Sequence, residues 1–406
     1  MENKLPEGWE WKKLGEIGEI NPKFDRKSIS ENIEVTFLPM RCIEELTGNV
    51  DTSITKNLEE VSKGYTSLME NDLIYAKITP CMENGKVAIA KGLKNNLGFA
   101  STEFHVIRFK KNAYNKFFFF YLIQKWIREY AAMNMTGSAG QKRVPATFLK
   151  DLLVPLPPLE TQQKIVSILE KAEETKKLRA QADELTQKLL QSVFLEMFGD
   201  PVKNPGKWDE RSLESLLDED PQNGLYKPST DYGEGTQILR IDSFYDGKIS
   251  NIKKLKRLNC TPEEIKKYGL NIGEVLINRV NSLEYLGKCG LVETLFEPTV
   301  FESNIMRLKL KKSTVNPEYL TSFLCTQFIK NQILQKAKKA VNQASINQAD
   351  VKSLKILLPP IQLQNNYSFI IKQIERTKQS QKQSSLEINN LFDALMQKAF
   401  TGELIA

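Results

Sequence analysis

Two kinds of hydrophobic pattern run along this chain, and each occurs twice, about 200 residues apart. The first is a short acidic-then-apolar run. "ENDLIYAKI" (residues 70–78) and "IGEVLINRV" (residues 272–280) both read as β-strands. The second has helical spacing. Phe117, Phe118, Tyr121, Leu122, Trp126 and Ile127 recur as Tyr319, Leu320, Phe323, Leu324, Phe328 and Ile329. Each set fits one face of an amphipathic helix packed on a sheet, with the aromatics in the core rather than on a base-stacking platform.

A longer stripe follows each of these regions. Positions 165, 168, 172, 175, 179, 182, 186, 189 and 193 hold Ile, Ile, Ala, Thr, Arg, Ala, Thr, Leu and Val. Positions 370, 374, 377, 381, 384, 388, 391 and 395 hold Ile, Ile, Thr, Gln, Ser, Ile, Leu and Leu. Both stripes are heptad-like, with apolar ends and a polar middle. A helix of about 35 residues is roughly 50 Å long, and such a stripe cannot stay exposed on an isolated helix, so the two are expected to pair. Ile165, Ile168, Leu189, Val193, Ile370, Ile374, Ile388, Leu391 and Leu395 are the residues expected at the seam or at a partner's docking surface. The first helix must run from one globular region to the next, and the second starts where the second region ends. Pairing is therefore expected to be antiparallel, giving a spacer with a head at each end.

The punctuation repeats as well. "VPLPPLETQQKI" (residues 154–165) and "ILLPPIQLQNNY" (residues 356–367) each place Pro-Pro between an apolar strand and a helix. In the same order along the chain, Trp9 aligns with Trp208, Leu14 with Leu213, Gly85–Lys86 with Gly287–Lys288, and Gln141 with Gln343. Agreement in order over the whole length indicates an internal duplication. The predicted organisation is a first head (1–157), a spacer helix (158–202), a second head (203–358) and a second spacer helix (359–406). The fold class expected is α+β.

Composition narrows the chemistry. The chain has 406 residues and 41% hydrophobic residues, enough for two or three domains, and a net charge of +7 that suits a polyanionic partner. Cys42, Cys81, Cys260, Cys289 and Cys325 are scattered, with no C-x-x-C pair, which argues for a reducing cytoplasm and against a disulfide framework or a zinc site. The longest apolar run, "FFFFYLI" (residues 117–123), is too short to span a bilayer, and "MENKLPEGWEWKKL" does not resemble a signal peptide, so no membrane association is expected. His105 is the one histidine, in a strand-like "STEFHVIRF", and is expected to be structural rather than catalytic. No G-x-x-x-x-G-K-[ST] or G-x-G-x-x-G loop is present. "NPKF" (residues 21–24) and "NPEY" (residues 316–319) imitate an adenine-methyltransferase motif but lack its second proline, and Pro317 suits the first turn of the predicted aromatic helix. A self-contained methyltransferase or nuclease is therefore not expected.

The whole chain resembles the specificity (S) subunit of type I restriction–modification enzymes. "ITPCMENGKVAIA" (78–90), "STEFHVIRF" (101–109), "GSAGQKRVPATFLKDLLVPLPPLETQQKIV" (137–166) and "LLQSVFLEMFGDP" (189–201) are similar to that family's first target-recognition domain and central spacer. "NRVNSLEYLGKCGLV" (278–292) and "LMQKAFTGEL" (395–404) are similar to its second domain and C-terminal spacer. The second copy departs from the usual Pro-Pro-Leu-x-x-Gln start by reading "PPIQLQNNY", although Gln364 still matches the family's glutamine. The resemblance implies two target-recognition domains, each reading half of a bipartite asymmetric site in double-stranded DNA. It also implies an antiparallel helix pair that fixes the gap and docks two methyltransferase subunits, with restriction subunits in the full complex. No cofactor is expected in this chain; S-adenosylmethionine, ATP and Mg are expected on the partner subunits.

Affinity for duplex comes mainly from Lys and Arg at phosphates, while side chains at base edges read sequence. Candidates in the first head are Thr79, Asn84 and Lys86 in "TPCMENGK" and Ser138, Lys142 and Arg143 in "GSAGQKR". Those in the second are Arg279, Asn281, Ser282 and Lys288 in "NRVNSLEYLGK", and Lys336, Lys338, Lys339, Asn342, Gln343, Ser345 and Asn347 in "QKAKKAVNQASINQ". Lys and Arg suit phosphate or guanine, and Asn and Gln can make two contacts to adenine. "GSAGQKRV" against "AVNQASI" predicts different half-sites and so an asymmetric target. The other function considered is a two-headed scaffold that assembles proteins without reading DNA.

Overall fold

The acidic-then-apolar runs form the central strands of each head, and the acid has a task. A computed structural model describes residues 5–24, 33–138, 140–250, 252–341 and 343–405. In the first unit, Asp72 is buried just ahead of the strand Leu73–Ala76. It accepts two hydrogen bonds from Arg108, at 2.9 and 2.7 Å, and one from the Met69 N–H at 2.7 Å. A buried carboxylate is tolerated because it is paired and hydrogen-bonded in this way. In the second unit Glu274 takes the same position before Val275–Asn278, facing Arg307 at 3.7 Å and accepting from the Asn271 N–H at 2.9 Å.

Two compact units emerge: Met1–Ala180 with Gln383–Ala406, and Gln181–Lys382. Each unit therefore holds its own head together with part of both long helices. The first head has two four-stranded sheets. One runs Gly18–Ile20, Phe104–Phe109, Leu73–Ala76, Val87–Ile89, all antiparallel. The other runs Thr55–Asn57, Glu34–Leu38, Leu97–Ala100, Thr66–Met69, with a parallel pair at its centre. The second head has a six-stranded sheet containing Ile305–Leu308, Val275–Asn278 and Cys289–Leu291, and a three-stranded sheet around Tyr232–Leu239. The shared centre keeps its register: Leu73 faces Ile89 and Tyr75 faces Val87, as Val275 faces Leu291 and Ile277 faces Cys289.

The aromatic stretches form two helices each rather than one: Asn115–Leu122 and Lys125–Met133, then Pro317–Leu324 and Gln327–Lys336. Gln124 and Thr326 have extended backbones that interrupt the turn, and the Thr326 hydroxyl caps the helix after it. Phe117 to Leu122 are buried, as expected, but Trp126 lies beyond the break and is 51% exposed. "NPEY" is a helix cap, in which the Asn316 side chain accepts from the N–H groups of Glu318 and Tyr319.

The repeated Pro-Pro phrase ends a strand that closes each head. Leu153–Leu156 pairs with Glu10–Lys13, and Lys355–Leu358 pairs with Asp209–Ser212. The long helices start just after, at Leu159–Phe198 (40 residues) and Ile361–Thr401 (41 residues), longer than the stripes alone predict. One fully buried glutamine fastens each helix to its head. Gln162 donates to the carbonyls of Pro157 (2.8 Å) and Asn112 (3.0 Å) and accepts from the Tyr114 N–H (2.7 Å). Gln364 repeats this with Pro359 (2.8 Å), Thr314 (3.4 Å) and the Asn316 N–H (2.9 Å). Tyr114 and Asn316 precede the aromatic helices, so one amide ties three elements together.

Within each unit the long helices run antiparallel. In the first, Ile165, Val166 and Leu169 share a core with Met396, Ala399 and Phe400, while further along Lys176 lies over the Phe392 ring at 4.2 Å. In the second, Thr186 accepts from Gln381 at 2.9 Å, and Phe194 packs on Tyr367 with ring centres 5.8 Å apart. The polar middle is thus hydrogen-bonded across the pair. The seam differs in part from the expected stripe. Ile165, Val193 and Ile374 are buried, and Ile168, Ile388 and Leu395 are half-buried. Leu189 (45%), Leu391 (58%) and Ile370 (36%) are exposed. Aromatics draw the ends of the helices toward the heads and rotate those positions outward: Phe400 packs on Phe117 and Tyr121, and Phe198 packs on Tyr319 and Tyr367. No helix of the described residues is long and apolar enough to cross a membrane.

Candidate nucleic-acid interface

In the first unit two loops leave the same end of the central sheet and meet. The Thr79 N–H donates to the Lys142 carbonyl at 3.0 Å, and Arg143 bridges both Ile78 and Thr136. Thr79, Lys142 and Arg143 are therefore brought together, with Ser138 exposed on the adjoining turn. Gly137 and Gly140 have φ of +118° and +80°, a backbone that favours glycine and keeps this loop out of sheet pairing. Asn84 and Lys86 stand at the far end of the other loop, donating to Glu45 (2.9 Å) and to the Met40 carbonyl (3.4 Å).

Acidic neighbours hold several of these groups. Thr79 donates to Glu83. Arg143 forms a two-point pair with Glu103, both contacts at 2.8 Å, and also donates to the Gln141 carbonyl at 2.9 Å. That hydrogen bonding holds the Glu103 carboxyl below its ordinary range and raises Arg143. Arg143 is thus oriented but already neutralised, while Lys142 is exposed and, among the described residues, has no side-chain partner.

His105 lies beneath this loop, buried in its strand. Nε2 faces the Val144 carbonyl at 2.8 Å and must donate, so Nδ1 accepts from the Asn21 amide at 3.0 Å. Burial pushes its pKa down from 6.5. A neutral ring with both nitrogens satisfied is a structural strut.

In the second unit the equivalent segments form a three-stranded sheet of Val280–Asn281, Gln343–Ser345 and Lys338–Ala340. Asn281 faces Ala344, Val280 faces Ser345, and Lys338 and Lys339 face Ser345 and Ala344 from the other side. Arg279 enters at the base, where its carbonyl accepts from the Ile346 N–H at 2.9 Å and its guanidinium donates to the Ser303 carbonyl at 3.2 Å. Arg279, Asn281, Gln343, Ser345, Lys338 and Lys339 are gathered on this one platform. Lys338, Lys339 and Gln343 are exposed, and among the described residues their side chains have no partner.

Other candidates fall elsewhere. Asn347 is a helix cap, accepting from the Asp350 N–H at 2.9 Å, and Lys336 ends the helix before the hairpin. Ser282 is exposed on the turn after Asn281. The Lys288 ammonium sits 3.3 Å from the centre of the Tyr245 ring and 5.3 Å from that of Tyr285, and burial lowers its pKa. It is caged by aromatics rather than free for a phosphate. Asn342 lies outside the described residues. Sequence reasoning missed Lys77, the first-unit counterpart of Arg279. Its backbone bonds Glu103 and Val144 as that of Arg279 bonds Asn304 and Ile346, and aligning the two halves residue by residue would have found it.

Two α+β heads of one design, each leading into a long helix and each carrying a different basic loop surface, define a duplicated two-headed recognition protein. The chain belongs to the family described as type I restriction modification DNA specificity domain, whose model matches residues 6–187 and again 205–390. It is 40% identical over 193 residues to the type I restriction enzyme EcoEI specificity subunit of Escherichia coli, covering 47% of this chain and 31% of that protein. That match is under a third of the relative's length. The EcoKI specificity subunit of Escherichia coli strain K12 is 27% identical over 440 residues, covering 99% of this chain and 90% of that one. Among solved structures, the HsdS subunit from Thermoanaerobacter tengcongensis aligns with a TM-score of 0.57 at 23% identity, over 99% of this chain and 98% of that one. A chain from a structure on complex assembly and conformational transition of the type I R-M system aligns with a TM-score of 0.65 at 23% identity, over 99% and 100%. At these identities the structural likeness establishes the fold.

Proposed function

We propose that this chain is the sequence-specific DNA-recognition subunit of a type I restriction–modification complex, working in the cytoplasm. Each head reads one half of a bipartite, asymmetric duplex site, and the paired helices set the spacing and dock two methyltransferase subunits. Restriction subunits join in the full complex. The chain itself is not catalytic. Adenine methylation with S-adenosylmethionine and cleavage with ATP and Mg reside in the partners.

The observation that carries this reading is the pair of unlike loop surfaces on one repeated frame, in a chain whose family is defined by DNA specificity. Lys142, Lys338 and Lys339, exposed on these surfaces, neutralise phosphates in this reading, which gives affinity without sequence information. Asn281 and Gln343 on the second platform have the donor-and-acceptor amides that read adenine at two points. Unlike surfaces on one frame favour unlike half-sites.

Mapping methylated adenines in cells with and without this chain tests the proposal. The expected result is one motif, two dissimilar specified parts around an unspecified gap, that disappears with the chain. An unchanged methylation map, or two identical half-sites, would overturn it.

A further inference from the structure

Each candidate reading turn is held by one basic residue that faces protein rather than solvent. In the second unit this is Lys330, in the helix Gln327–Lys336. Its ammonium donates to the carbonyls of Leu283 (3.1 Å), Glu284 (2.6 Å) and Leu286 (3.0 Å). A lysine ammonium has three donors and no acceptor, so its capacity is filled by this one turn. The turn is helical in character, since the N–H groups of Tyr285 and Leu286 both donate to the Ser282 carbonyl. Such a turn leaves its last carbonyls without partners and concentrates negative charge there, and a cation answers both.

The turn's two ends are tied locally, by the Ser282 N–H to the Asn281 side chain at 2.8 Å and by the Gly287 N–H to the Asn278 carbonyl at 3.0 Å, and Tyr285 rests beside Lys288 and Tyr245. Among the described residues, Lys330 alone gathers the carbonyls between them. Leu286 is buried, whereas Ser282, Leu283, Glu284 and Tyr285 are exposed. Gly287 (φ +76°) lies so close to the same helix that a Cβ would stand 2.2 Å from Ile333 Cδ1. The helix therefore grips the turn by one close backbone approach and one ammonium.

The first unit solves the same problem with another side chain. Arg128, as far beyond Gly85 as Lys330 is beyond Gly287, donates to the Glu83 carbonyl in the loop and to the Ile123 carbonyl at 3.1 Å. Gly85 (φ +77°) packs against Leu46 and the Arg128 stem. The two turns have different sequences, yet both keep a cation on their carbonyls.

We propose that Lys330 and Arg128 are positioning residues: each fixes the backbone of its own reading turn, residues 281–288 and 79–86, and so sets the sequence preference of one half-site without touching DNA. This rests on the DNA-reading function proposed above. A turn fixed in advance loses less conformational freedom on binding, and it presents its side chains to the bases in one geometry.

Selection of bound duplexes from a random-sequence pool, using the full chain in its complex, tests the inference. Lys330→Met should flatten base preference about tenfold in one half-site, a change of about 1.4 kcal/mol, leaving the other half-site and the gap as in the unaltered protein. Arg128→Met should do the converse, and Lys330→Arg should restore most of the preference. If Lys330→Met leaves both half-sites sharp while Asn281→Ala blurs one, the inference fails and the DNA-reading function stands. If Lys330→Met blurs both half-sites equally, the lysine supports the fold at large and the inference again fails. If the unaltered chain enriches no bases, the function itself falls.

Discussion

The two heads agree where they are buried and disagree where they are wet. Their central strands keep the same register, and the same glutamine ties each head to its helix. At the exposed end, the first has a glycine-bearing loop whose arginine is already paired with Glu103, while the second has a hairpin with two lysines that have no side-chain partner among the described residues. The contrast extends to the outer face. Trp11, Trp126, Tyr130 and Phe148 line a groove of about 680 Å³ on the first unit, whereas Glu210, Asp350's neighbour Ala349, Lys352 and Lys355 line the corresponding cleft on the second. A duplicated frame tolerates such divergence because loop residues carry little of the packing that stabilises it.

The largest effect should come from the shared part. Replacing Gln364 with Leu leaves the Asn316 N–H and the Pro359 carbonyl without partners, at a cost of about 2–3 kcal/mol. Gln162→Leu should cost the first unit a similar amount, because Tyr114 and Pro157 lose the same bonds. Urea unfolding of both variants measures this. Clearly unequal losses would break the claim that the two frames are equivalent.

A smaller effect separates the reading surfaces. Replacing Lys338 and Lys339 together with Ala should weaken duplex binding and make its log–log salt dependence shallower by about 1.8, or about 0.9 for each lost phosphate contact. Arg143→Ala should change that slope by clearly less than the roughly 0.9 of one lost phosphate contact, because Glu103 already neutralises the guanidinium. A full change of about 0.9 would show that the Glu103 pairing does not restrain Arg143 on DNA.

The smallest effect is a difference in acid response. His105 is held neutral in the first unit, with its folded pKa below 6.5. As pH falls below about 6.5 the unfolded chain takes up the proton first, so stability present at neutral pH declines with acidification. The second unit has no histidine and should lack this slope between about pH 6.5 and 5. Thermal unfolding across that window, with His105→Gln as the flattened control, measures it. A slope unchanged in that variant would remove His105 as its source.

Much of the frame was legible in the sequence because burial leaves periodic traces. Strand runs, aromatic helices and the Pro-Pro junctions are spelled by apolar spacing that packing enforces. The split of each aromatic stretch into two helices was not, since it depends on extended backbones at Gln124 and Thr326 within an unbroken apolar pattern. The seam was legible at Ile165, Val193 and Ile374, which are buried, and not at Leu189, Ile370 and Leu391, which are exposed near the aromatic contacts between helix ends and heads. Among the candidate contacts, composition located the loops but not the partners. Nothing in "GSAGQKR" reveals Glu103 beside Arg143, and nothing in "NRVNSLEYLGK" reveals that Tyr245 joins Tyr285 around Lys288. Those are properties of chain segments distant in sequence and adjacent in space.

The division of the long helices between units has a consequence for synthesis. The second unit is one continuous stretch, Gln181–Lys382, whereas the first needs Gln383–Ala406, made after the whole of the second, to cover its aromatic core with Phe400. At about 5–20 residues per second, the ribosome takes roughly 10–45 s to reach that segment after finishing residue 180. The head that emerges ahead of the other is therefore completed after it, and during translation it waits with Phe117 and Tyr121 uncovered by their closing helix.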